Sequence, residues 1–134
     1  ISIDLNSLTV GQGSWALLAD TSAIWGYWYN TTAASGDNIT YSKVYLAAGT
    51  YTITGCLIDG SNRGIIKIEI DDVDTGTAWD TYAASNSYNH VYLKTGVTVA
   101  TSGLKTIRVK SNTKNASSSA YYMLLQTLSF HRTA

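Results

Sequence analysis

Alternation of apolar and polar side chains runs the length of the chain, and no segment holds a helical period. GIIKIEIDD sets it out most plainly: Ile66, Ile68 and Ile70 fall on one face, Lys67, Glu69 and Asp71 on the other. In TYTITGCLI, Tyr51, Ile53, Gly55 and Leu57 alternate with Thr52, Thr54 and Cys56. HVYLKTGVTV puts Val91, Leu93, Val97 and Val99 on one face, and LKTIRVK turns Ile107 and Val109 inward with Arg108 and Lys110 outward. The last run, AYYMLLQTLSFH, opposes Tyr122, Leu124, Leu128 and Phe130 to Tyr121, Met123, Leu125 and Thr127. Turn-forming residues separate the runs: Ala48-Gly49, Asp59-Gly60-Ser61-Asn62, Asp74-Thr75-Gly76, Ser102-Gly103, and Lys114 to Ser119. About eight or nine short antiparallel strands predict an all-β fold, a jelly-roll β-sandwich. No linker, repeat or composition break divides residues 1–134, which read as one domain.

One segment does not fit a half-solvated strand. IWGYWYN, residues 24–30, carries Trp25, Tyr27 and Tyr29 on one parity and Trp28 on the other. The face Tyr121, Met123, Leu125 of the last run is equally apolar. Surfaces of this kind, rich in Trp, Tyr and Met, mark interfaces when exposed. Trp25, Tyr27, Tyr29, Tyr121, Met123 and Leu125 are therefore candidate interface residues between copies of the chain, with burial beneath residues 1–19 as the alternative.

Charge changes the picture modestly. Only 13% of residues are charged and the formal net charge is zero, so no global field recruits nucleic acid or an anionic membrane. All nine acids lie in residues 1–89 with three bases, and residues 90–134 hold six bases and no acid. Strands of opposite charge are expected side by side in one domain, or across a subunit contact. The single cysteine, Cys56, excludes an internal disulfide and a multi-cysteine metal site, and its strand context suggests a buried thiol. No apolar run is long enough to span a membrane, and no signal peptide is visible. Absence of an initial methionine suggests a fragment or a processed product. Three Asn-X-Ser/Thr triplets, at Asn30, Asn38 and Asn115, are what a Thr- and Asn-rich chain produces by chance.

From residue 36 the chain reads GDNITYSKVYLAAGTYTITGCLIDGSNRGIIKIEIDD. Gly36-Asp37-Asn38-Ile39-Thr40-Tyr41 followed by Gly49-Thr50-Tyr51-Thr52 resembles the sugar-binding jelly rolls of the family-six type of carbohydrate-binding module. SGLKTIRV is similar to a further strand of that family, and the likeness extends over residues 36–131. The chain departs from the pattern at Asp72, where the family prefers glycine, and at Tyr88, which stands in the place the family usually gives to a stacking tryptophan. The resemblance implies a ligand role for Asn115, in the loop before the last strand. KNASSSAYYMLLQTLSFHR also looks like the C-terminal segment of small trimeric jelly-roll modules of tailed-phage virion proteins, tail-fibre tips and capsid decorations.

Sugar recognition needs an aromatic face for the pyranose and polar groups for its hydroxyls. Tyr41, Trp79, Tyr82, Tyr88 and Asn115 lie near predicted loop ends and are the candidate ligand-binding residues. Asp72-Val73-Asp74-Thr75-Gly76 opens like a calcium loop, but Ala83 occupies the position of its bidentate glutamate, so a hairpin turn is expected and no metal or other cofactor. Catalysis is not expected: the single glutamate, Glu69, has no paired carboxylate, and neither His90 nor His131 sits in a nucleophile motif. The expected function is a non-catalytic virion-surface module of a phage, a homotrimer contacting other virion proteins or a cell-surface glycan. The alternatives are a monomeric carbohydrate-binding module of a secreted glycoside hydrolase and a purely structural particle component. The expected location is the virion surface or extracellular space, with neither nucleic acid nor membrane as partner.

Overall fold

A computed structural model describes residues 2–3, 9–24 and 26–134. Eleven strands form among the described residues: β1 Thr9–Gln12, β2 Trp15–Leu18, β3 Tyr27–Asn30, β4 Asp37–Leu46, β5 Gly49–Asp59, β6 Ile65–Ile70, β7 Val73–Asp74, β8 Trp79–Asp80, β9 Ser87–Val99, β10 Gly103–Thr113 and β11 Leu124–Arg132. They pack as two sheets, β1-β4-β10-β6-β7 with β8 also on β6, and β2-β3-β11-β5-β9. All the strand pairings are antiparallel, as the jelly-roll expectation required. Ile39, Ile66, Ile68, Ile107 and Val109 from the first sheet meet Ile53, Leu57, Leu125, Leu128 and Phe130 from the second in one buried core. Burial of these side chains at about 25 cal/mol per Å² of apolar surface is the main force holding the sheets together.

Alternation alone places the residues of β5, β6 and the middle of β10 correctly, whereas β9 and β11 each change parity at a bulge. In β11 the register on β5 shifts between Leu125 and Thr127. Met123 and Leu125 therefore point inward together with Leu128 and Phe130, all four essentially without exposure. Tyr122 and Leu124 are left only partly buried. In β9 the register shifts twice, between its pairings with Leu57 and Asp59 and between those with Tyr51 and Ile53, the latter beside Gly96, whose φ of 69° is easy only for glycine. Val97 and Val99 are buried as expected, but Val91 and Leu93 are exposed, and Tyr92 is the residue that packs on the core.

The charge asymmetry is resolved inside the fold. Glu69 on β6 faces Arg108 on β10, and accepts from Lys110 Nζ at 2.7 Å and Arg108 Nη1 at 3.1 Å. Arg108 also pairs with Asp72 and Lys105 with Asp71, in the two-residue turn joining β6 to β7. Both turn residues have positive φ, 49° at Asp71 and 64° at Asp72, the pattern of a type I′ hairpin. Hence glycine suits position 72, and Asp is among the residues that tolerate it. Burial pushes the Cys56 thiol above its usual pKa, in keeping with an unreactive side chain.

The hydrogen bond from Lys110, then that from Arg108, holds Glu69 below the usual carboxylate range against the opposing effect of its burial. A lowered folded pKa favours folding only while the group is ionised. The contribution is complete above the unfolded pKa and disappears as pH falls through the lowered value. Glu69→Gln is expected to cost about 1 kcal/mol at neutral pH, after allowance for solvent screening, and nothing at about pH 2. Urea unfolding of both proteins across that range checks it; an equal deficit at every pH would mean that packing, not charge, is lost.

Candidate functional site

A tyrosine-lined cavity of about 300 Å³ opens where β2, β3 and β11 run side by side. Leu18 lies opposite Tyr27 between β2 and β3, and Tyr29 opposite Leu124 between β3 and β11. Period-two alternation brings all four to the same face, away from Trp28, which packs on the core. Tyr122, Asn62 and Arg63 complete the lining. The ring centroids of Tyr27 and Tyr29 are 6.2 Å apart and those of Tyr29 and Tyr122 6.5 Å, with interplanar angles of 53° and 36°.

The end wall is tied down by backbone. Tyr122 N–H donates to Asn62 O at 3.1 Å, and Gly64 N–H donates to Tyr122 O at 2.8 Å. Arg63 is only 6% exposed. Its Nε donates to Ile58 O at 2.8 Å, Nη1 to Asn62 Oδ1, and Nη2 at a longer 3.5 Å to Asn86 Oδ1. A Cβ at Gly60 would lie 2.7 Å from Arg63 Cζ, so a side chain there would displace the guanidinium. Loss of hydration lowers the Arg63 pKa from its usual value, against the attraction of Asp59 and the phenols of Tyr27, Tyr88 and Tyr122. Burial, with Asp20, Tyr29 and Tyr88 nearby, raises the pKa of Tyr27, and the Arg63 cation partly offsets that rise.

Asp59 lies behind this wall with its own partners. It accepts from Tyr92 Oη at 2.7 Å and is hydrogen-bonded to His90 Nδ1. Burial first, then the bond to Asp59, raises the pKa of the Tyr92 phenol. Among the described residues no three His, Cys, Asp or Glu side chains form a group that could hold a metal ion. The cavity combines tilted aromatic faces with amide and guanidinium donors, an arrangement suited to binding a polar ring by one apolar face.

The candidate ligand residues converge only in part: Tyr82 and Asn115 meet at Asp80, whose carboxylate accepts from Tyr82 N–H at 3.1 Å and from Asn115 Nδ2 at 2.8 Å. Tyr41 and Trp79 are core residues, 6% and 5% exposed, so neither offers a face to a ligand. Trp79 stacks on Tyr92 at 5.8 Å. Tyr82 also forms a bridge to Gly60, the residue before the turn that leads into Arg63. Tyr88 reaches the cavity wall through Asn86, which donates to Tyr88 Oη at 3.5 Å and accepts from Arg63 Nη2. The candidate interface faces are also divided. Met123 and Leu125 are 0% exposed within their own chain and have no surface to give a partner. Tyr121 is half-buried with Lys114 Nζ 5.9 Å from its ring centre, Tyr27 and Tyr29 line the cavity, and Trp25 lies outside the described residues. Leu18, Asn62, Arg63, Tyr122 and Leu124 were not among the sequence candidates. The available signal was the polar turn GSNRG beside an aromatic strand.

With this geometry in place, the chain compares with solved structures as follows. It overlays on the CBM36-1 domain of a multidomain xylanase from the hindgut metagenome of Trinervitermes trinervoides with a TM-score of 0.73, 17% identity, and coverage of 100% of this chain and 98% of that one. The likeness is one of fold. The CBM6cm-2 carbohydrate-binding module of Cellvibrio mixtus lichenase 5A, solved with cellotriose, gives a TM-score of 0.65 and 14% identity over 100% of this chain and 98% of that one. Paenibacillus xanthan lyase gives 0.72 and 21% identity over 98% of this chain, which spans only 13% of the lyase. No protein-family model and no curated protein matches the chain.

Proposed function

We propose that the chain is a non-catalytic, extracellular glycan-binding module, and that the Tyr27–Tyr29–Tyr122 cavity is its binding site. The observation that carries this reading is the grouping of three tyrosines with Asn62 and Arg63 around about 300 Å³ of surface cavity. That volume is at the lower end for ligand pockets and suits one or two sugar residues. Similar folds that are carbohydrate-binding modules support it, one of them solved with cellotriose. Such a module works by holding a carbohydrate near whatever larger protein carries it. The virion-surface and trimer expectations lack comparable support, because none of the similar structures named above is a virion protein.

Tyr29→Ala and Tyr122→Ala are each expected to weaken retention on an immobilised polysaccharide about tenfold or more, since each removes a stacking face and its buried area. The circular dichroism spectrum should not change. Tyr45→Ala, which alters an exposed side chain on the other sheet, should leave retention intact. If Tyr82→Ala or Asn115→Ala abolishes retention and Tyr29→Ala does not, the site is on the other loops. If a broad glycan array shows no binding at all, the glycan-binding reading fails.

A further inference from the structure

We propose that the sugar bound in the tyrosine-lined cavity carries a carboxylate, as a uronic acid residue does, and that Arg63 recognises it; this rests on the glycan-binding reading above. Arg63 is a buried cation that forms no ion pair among the described residues, and the attraction of Asp59 offsets its loss of hydration only in part. A guanidinium has five N–H donors in a planar fork. Here one goes to Ile58 O, one to Asn62 and one, at 3.5 Å, to Asn86, all uncharged acceptors. One N–H on each terminal nitrogen has no hydrogen-bond partner among the described residues. The nearby acid Asp59 is occupied by His90 and Tyr92, and Asp20 accepts from Ser22 N–H at 2.8 Å in its own turn.

Burying a charge without a direct ion pair is costly, and part of the cost is recovered when an anion arrives in the same low-dielectric place. Arg63 lines the cavity, so a ligand seated on the tyrosines comes within reach of it. The planar fork matches a planar carboxylate better than it matches scattered hydroxyls. A neutral sugar would use the tyrosines and leave the guanidinium without a direct ion pair.

The test changes the ligand, because Arg63→Gln would also break the bond to Ile58 O that closes its loop. The full chain is titrated by calorimetry with uronic-acid oligosaccharides and with the same oligosaccharides after reduction of their carboxyl groups to alcohols. At least tenfold tighter binding of the acidic form is expected, with the difference shrinking as salt rises to about 0.5 M. Arg63→Gln, if its spectrum shows it folded, should bind both forms equally. Equal or tighter binding of the reduced form, still lost in Tyr29→Ala, would overturn the acidic-sugar assignment and leave the glycan site standing. Preference for a sulfated over a carboxylated oligosaccharide would overturn the carboxylate assignment. Binding of none of them would overturn both.

Discussion

Asn30→Ala is expected to remove about 3–5 kcal/mol of unfolding free energy, a large share of the 5–15 kcal/mol typical of a domain. Asn30 is 0% exposed and uses both ends of its amide. Nδ2 donates at 2.9 Å to Asp37 Oδ2 and also to Tyr121 O, and Oδ1 accepts from Met123 N–H at 2.7 Å. Alanine leaves the buried Met123 N–H and the Tyr121 carbonyl short of partners, each costing about 1–3 kcal/mol where water cannot enter, while Asp37 Oδ2 keeps its bonds from Thr32 Oγ1 and Ala34 N–H. Asn30→Asp should be worse at neutral pH, because it sets a second carboxylate against Asp37. Guanidinium unfolding checks both variants; a loss below about 1 kcal/mol for alanine would mean that water replaces the amide. The effect reaches the cavity too. Asn30 joins the end of β3 to the segment leading into β11, so it fixes Tyr29 relative to Tyr122. Sugar retention should fall in any Asn30→Ala protein that still folds.

The architecture was legible wherever a strand kept strict alternation. Ile66, Ile68 and Ile70, and likewise Ile107 and Val109, needed only a count of two to be placed facing the core. The opposed charges of the two halves were equally readable, since Glu69 and Arg108 became cross-strand neighbours. Bulges were not legible. One extra residue reverses the facing of everything beyond it, and nothing in YYMLLQTL marks where β11 shifts. Gln126 is the residue at that shift; it is 2% exposed, donates to Asn89 Oδ1 at 2.7 Å and accepts from Asn89 N–H. A buried glutamine satisfied by a distant side chain leaves no local pattern. Reading β11 without the bulge sent Met123 and Leu125 outward and concealed Tyr122.

The site was half legible for the same reason. Tyr27 and Tyr29 stood out as too apolar for open water but read as an interface between copies of the chain, whereas in the fold they line a cavity beside Tyr122 and Arg63. Arg63 itself read as part of a turn, because only the fold brings Ile58 O, Asn86 and three phenols around it. Loop position proved a poor guide to the aromatics. Trp79 belongs to a two-residue strand on β6, and its ring points inward between the sheets.

Trp79→Ala therefore separates a core residue from a ligand residue. It is expected to cost about 3–5 kcal/mol of stability. The indole is 5% exposed, stacks on Tyr92, donates from Nε1 to Leu93 O at 3.2 Å, and covers Gly55 of β5. Gly55 has room for no side chain: a Cβ there would drive into the Trp79 ring, with Cη2 at 2.9 Å and Cζ3 closer still. Sheet and indole meet along a flat contact that alanine would replace with a void, since only partial collapse is open to strands held in register on both sides. Gly55→Ala should destabilise by a comparable amount from the opposite direction, by overpacking. The two variants combined should be less damaging than the sum of their separate costs, because a methyl at position 55 fills part of the space the indole leaves. Thermal and urea unfolding of the three proteins measure this coupling. If Trp79→Ala unfolds at the wild-type midpoint but loses sugar retention, the residue faces a ligand and its placement in the core is wrong.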